Sequence, residues 1–97
     1  ALNTLQNIYL VVPENDVLVY PNPVTDEFSL IFRENPGPLI AEIFSSSGKI
    51  IYRQNLDSSP GRYLRITALR NNAHGIYFLR LRTSAGVFLK KIIKTDG

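Results

Sequence analysis

The chain predicts an all-β fold, an antiparallel sandwich of about seven short strands, and three observations carry that expectation. Apolar residues recur with period two in segment after segment, the period of a strand with one buried face. Turn-forming clusters rich in Pro, Gly, Asn, Asp and Ser interrupt these runs at spacings of roughly 8–12 residues, as sandwiches require. No stretch sustains an apolar stripe at i, i+3, i+4, so no helix is expected. An all-β barrel of similar size is the alternative reading of the same pattern. At 97 residues the chain fits a single domain with one core.

Residues 1–16 read as an upstream linker or an opening strand, and residues 17–97 as one β-sandwich domain. A strand-forming run then meets Tyr20-Pro21-Asn22-Pro23, where two prolines fix φ and leave the turn little entropy to lose. In 27–32 Phe28, Leu30 and Phe32 share a face. In 39–44 Leu39, Ala41 and Ile43 alternate with Ile40, Glu42 and Phe44; in 49–55 Ile51 and Arg53 oppose Ile50 and Tyr52. Tyr77, Leu79 and Leu81 share one face of 75–82, with Arg80 and Arg82 on the other. The loops Ser45–Gly48 and Thr83–Gly86 each end on glycine, where a short hairpin needs positive φ. Two hairpins are therefore expected, pairing 39–44 with 49–55 and 75–82 with 86–94.

The last strand resists a simple assignment. Its odd positions are Val87, Leu89, Lys91 and Ile93, and its even positions are Phe88, Lys90, Ile92 and Lys94, so neither face is wholly apolar. Either a lysine accompanies the hydrophobics on each face, or a bulge near Lys90-Lys91 re-phases the strand. Two roles suit such a strand: an edge guarded against aggregation by lysines, or a segment gripped by a receptor or added to another sheet.

Composition excludes several function classes. Without cysteine there is neither a disulfide framework nor thiolate chemistry. No apolar run approaches the roughly 18–20 residues of a membrane helix. A net charge of +3 is too slight to indicate a nucleic-acid binder. Ala1–Val12 lacks a basic leader, so an exported chain is expected to carry its signal further upstream.

Chemistry-bearing residues are sparse. His74, the one histidine, sits in a turn and has no second His or Cys to complete a nitrogen/sulfur metal site. Glu14 and Asp16 stand two apart but lack calcium-loop spacing, and the serines have no evident base partner. No cofactor is expected, and the chain is read as lacking catalytic activity. Tyr20, Tyr52, Tyr63 and Tyr77 are the candidates for a carbohydrate-binding surface, against the plainer role of packing a half-buried sheet.

Taken in order, Val19–Val24, Phe28–Phe32, Ala41–Tyr52, Leu64–Leu69, His74–Gly86 and Leu89–Lys94 resemble the type A C-terminal sorting domain of the type IX secretion system of Bacteroidota. The resemblance spans about residues 17–94 and implies an immunoglobulin-like sandwich of seven strands. It also implies a sorting signal joined to a preceding cargo domain, which passes through the periplasm to the cell surface or medium. The implied partners are the outer-membrane translocon, a shuttle protein and a sortase-like surface peptidase that removes the domain. On this resemblance the motif residues are Pro21, Asn22 and Pro23, the glycines Gly48, Gly75 and Gly86, and Lys90 or Lys91 with Lys94. The alternative is a carbohydrate-binding or spacer module of a surface protein. Thr95-Asp96-Gly97 extends past the last motif lysine, and the cleavage site is expected upstream of the fold, within 1–16 or before it. Lys90, Lys91 and Lys94 beside Arg80 and Arg82 predict a positive terminal hairpin that steers toward acidic receptor loops. An exposed edge strand also allows dimers through edge pairing.

Overall fold

The computed structural model describes residues 17–95. Seven strands run in order: β1 (Val17–Tyr20), β2 (Phe28–Phe32), β3 (Leu39–Ser45), β4 (Ile50–Leu56), β5 (Tyr63–Ile66), β6 (Gly75–Thr83) and β7 (Gly86–Lys94). They form two antiparallel sheets, β1-β2-β5 and β4-β3-β6-β7, packed face to face as an immunoglobulin-like β-sandwich. No helix occurs among the described residues.

Alternation decides which side chains fill the space between the sheets. Val17 and Val19 of β1, Phe28, Leu30 and Phe32 of β2, and Ile66 of β5 point inward from one sheet. Leu39, Ala41 and Ile43 of β3 with Tyr77, Leu79 and Leu81 of β6 meet them from the other. Phe32 packs edge-on against Phe88 across the sheets, with ring centroids 6.3 Å apart at 87°, an arrangement that suits the ring quadrupoles. Leu69, in the turn after β5, is fully buried and plugs one end. That turn is tied down from outside, because Arg70 donates to Asp26 at 2.9 Å and to Glu27 at 3.0 Å.

Both expected hairpins form. In the β3–β4 loop the Ser45 amide donates to the Lys49 carbonyl at 2.8 Å and the Gly48 amide to the Ser45 carbonyl at 2.9 Å. Gly48 takes φ +92°, which a side chain would oppose. Just past this turn the β3–β4 register slips, Ile43 facing Tyr52 while Phe44 faces Ile50. The extra residue on β4 breaks its alternation: Ile51 and Tyr52 both pack against the core, and Ile50 is exposed.

The register of β7 resolves the ambiguity of its sequence. It pairs with β6 without a slip from Gly75↔Lys94 to Thr83↔Gly86, so no bulge falls at Lys90-Lys91. The even positions Phe88, Lys90, Ile92 and Lys94 lie on the side of Tyr77, Leu79 and Leu81, and the odd positions face outward. Residues 1–16, with Glu14 and Asp16, and the terminal Asp96-Gly97 lie outside the described residues.

Candidate functional site: the terminal strand and its proline clasp

β7 ends the four-stranded sheet and would present an open edge. The chain covers part of that edge with the segment after β1. β1 pairs with β2 in the three-stranded sheet, and the chain then crosses at Pro21-Asn22-Pro23 so that Val24 bridges to Lys94 in parallel. The Val24 amide donates to the Ile93 carbonyl at 2.7 Å, and the Thr95 amide donates to the Val24 carbonyl at 2.8 Å. The residues Tyr20-Pro21 and Asn22-Pro23 are joined by cis peptide bonds.

Prolines have no N–H to offer a neighbouring strand. The Asn22 carboxamide supplies what the backbone here cannot. Its Nδ2 donates to the Lys91 carbonyl at 3.0 Å, and its Oδ1 accepts from the Ile93 amide at 3.0 Å. A side-chain amide thus engages the edge as a peptide group of an added strand would, one donor and one acceptor spanning Lys91 to Ile93. The proline motif and the lysine-bearing terminus, 69 and 71 residues apart along the chain for these two bonds, form one structural unit. The resemblance marks Asn22 as a motif residue without a contact to explain it, because periodicity cannot see a side chain that substitutes for backbone.

The motif residues are presented unequally. Lys91 is exposed on the outer face of the four-stranded sheet. Lys90 is half-buried on the inner side, opposite Leu79. Lys94 is only 6% exposed, and its Nζ donates to the Thr95 carbonyl at 3.3 Å. The terminal hairpin is therefore not one positive face: Lys91 shares a side with Arg80 and Arg82, while Lys90 and Lys94 point the other way. Gly75, at φ +149°, sits directly opposite Lys94, and Gly86 closes the β6–β7 hairpin opposite Thr83. Gly48 lies in the separate β3–β4 turn.

A second arrangement has no counterpart in the motif reading. Glu42 occupies an outward position of β3 yet is 1% exposed. Three arginines cover it. Arg80, directly opposite on β6, reaches Oε1 at 2.9 Å; Arg82 reaches it at 3.1 Å; Arg53, opposite on β4, stands 3.8 Å from Oε2. Burial pushes the Glu42 carboxyl up, but the hydrogen bonds and charges of Arg80 and Arg82 outweigh it and hold its pKa below the ordinary 4.5. The Arg80 guanidinium also lies 4.9 Å over the Phe44 ring. The alternation of "AEIF" and "LRLR" sets the acid and two arginines on alternate positions of their strands, and register then brings Glu42 between β4 and β6.

Of the four tyrosines considered for carbohydrate, Tyr20 and Tyr63 are exposed on the outer face of the three-stranded sheet. Tyr77 is buried, its hydroxyl donating to the Ala73 carbonyl at 2.6 Å, and Tyr52 is half-buried, donating to Gln54. His74 is exposed between β5 and β6. No cluster of three or more His, Cys, Asp or Glu suited to a metal ion occurs among the described residues.

A Bacteroides vulgatus protein of solved structure, with an immunoglobulin-like β-sandwich fold, superposes with a TM-score of 0.55 at 17% identity, covering 77% of this chain and 84% of that one. CopC from Methylosinus trichosporium gives a TM-score of 0.49 at 22% identity, covering 91% of this chain and 92% of its own. No curated protein sequence matches the chain significantly. The family model for the secretion system C-terminal sorting domain matches residues 18–95, from β1 through the residue that closes the clasp on β7. The chain belongs to the type IX secretion C-terminal sorting domain family, and its role is that of a sorting signal for export to the cell surface or medium.

Proposed function

We infer that this domain has no catalytic activity of its own and acts as a passive address, read in the periplasm by a shuttle protein and the outer-membrane translocon. A sortase-like surface peptidase then removes it from the cargo. One observation supports the reading most: the family match begins in β1 and ends at Thr95, and the Asn22 clasp joins those two ends into one continuous edge. A receptor that engages the terminal strand therefore meets the proline segment with it, so both are read only when the domain is folded. Lys91 is the motif lysine offered to such a receptor, while Lys94 serves mainly to seal the end of the sandwich.

The test is a reporter fused ahead of residues 1–97, expressed in a type IX-competent host and analysed by mass spectrometry of the exported product. The reading predicts exported reporter lacking the domain, cut upstream of Val17. Export of the intact fusion would sink the peptidase step, and export surviving deletion of Leu89–Lys94 would remove the terminal strand from recognition.

A further inference from the structure

The outer face of an antiparallel sheet normally carries polar residues against water. Here the outer face of the four-stranded sheet mixes its charged residues with large hydrophobics. Register sets Ile50, Phe44, Phe78 and Lys91 in one row across β4, β3, β6 and β7, and Arg53, Glu42, Arg80 and Leu89 in the next. Ile76 and Ile93 pair directly beyond the first row. Ile50, Ile76, Phe78, Leu89 and Ile93 are large hydrophobics left exposed, Phe78 by 44% and Leu89 by 51%. Single exposed hydrophobics are ordinary, but five gathered on one flat face mark an interaction surface.

We propose that this face docks a protein partner whose own surface has an apolar centre and an acidic rim. The occupant follows from charge. Arg53, Arg80, Arg82 and Lys91 against Glu42 leave the face net positive, so a second copy of the chain would set like charge on like. Three of those cations are gathered over Glu42 by register and ion pairing, a clustered set of donors that suits matching carboxylates on a folded protein. Phe78 stands between Phe44 and Lys91 and is the central anchor. Under the sorting role the partner belongs to the export machinery, so the inference rests on that role.

The experiment compares export of three reporter fusions in a type IX-competent host. One carries the unaltered domain. The second carries Ile76→Thr, Phe78→Thr and Leu89→Thr, which remove the apolar centre while keeping strand-compatible residues. The third carries Leu18→Thr and Tyr63→Thr on the opposite, equally exposed face. Thermal melts of each purified domain read folding separately, and Lys91→Glu, outside the Glu42 cluster, reads the charge without removing a hydrophobic. The expected result is about tenfold or greater loss of export for the triple variant and a clear loss for Lys91→Glu, with the opposite-face variant unchanged. Export of the folded triple variant at the level of the unaltered domain overturns the docking face alone. No export of the unaltered domain overturns the sorting role and this inference together. Sedimentation of the domain with vesicles of anionic phospholipid, lost in the triple variant, reassigns the face to a membrane, and dimerisation lost in the same variant reassigns it to a second copy; either result overturns the protein partner.

Discussion

Replacing Asn22 with alanine removes both side-chain bonds that hold the proline segment on β7. Each is a neutral hydrogen bond worth about 1 kcal/mol net. The site is exposed, so water takes up the Lys91 carbonyl and the Ile93 amide once they are freed, and the loss falls at about 1–2 kcal/mol for the pair. For a domain of this size that lowers the melting temperature by about 4–15 °C. Thermal unfolding followed by circular dichroism measures the total. Amide hydrogen exchange locates it: Ile93, whose N–H meets Asn22, should lose protection strongly, while Ile92, whose amide faces β6, should change only with global stability. An Asn22→Ala domain that melts within 1–2 °C of the original, with Ile93 exchange unchanged, refutes the clasp.

Other expectations follow from the same geometry. Because the folded pKa of Glu42 lies below 4.5, its ionised form stabilises the fold above that value, and this contribution drains away as pH falls through the folded pKa. Glu42→Gln should therefore cost about 1–3 kcal/mol at pH 7, less than a fully buried pair because the arginines are 37–55% exposed, with the gap to the unaltered domain narrowing in urea titrations as pH falls through the folded pKa. Gly48→Val should cost roughly 1–3 kcal/mol in the same titration, since φ +92° is closed to a β-branched side chain. Lys94→Ala should lower stability measurably by stripping a packed stem, whereas Lys91→Ala should leave the melt unchanged. Adding soluble polysaccharide should leave Tyr20 and Tyr63 unshifted in NMR spectra; saturable shifts would support a carbohydrate-binding surface instead.

Much of this fold was legible in the sequence because alternation and turn chemistry are local. Phe28-Leu30-Phe32 and Tyr77-Leu79-Leu81 were read as faces and are buried as such. The terminal strand was not legible, because its lysines occupy both faces; only pairing with β6 shows that Phe88 and Ile92 set the inner side. The 49–55 reading failed in both of its pairings, because the bulge sets Ile51 with Tyr52 against the core and leaves Ile50 with Arg53 outside; a bulge is a property of two strands together and leaves no period in either. Pro21-Asn22-Pro23 was visible as a rigid turn, but its contact with β7 spans most of the chain. The burial of Glu42 depended likewise on three arginines whose registers the sequence leaves unstated.

The most direct test of the sorting role is localisation of a periplasm-targeted fluorescent reporter carrying residues 1–97 at its C-terminus. The fusion is followed in a type IX-competent strain and in an otherwise identical translocon-deficient one. The account predicts reporter at the surface or in the medium of the competent strain alone, and retained in the periplasm of the other. Retention in both strains, with the domain folded, would contradict it and leave a β-sandwich that shares the family's fold without its function.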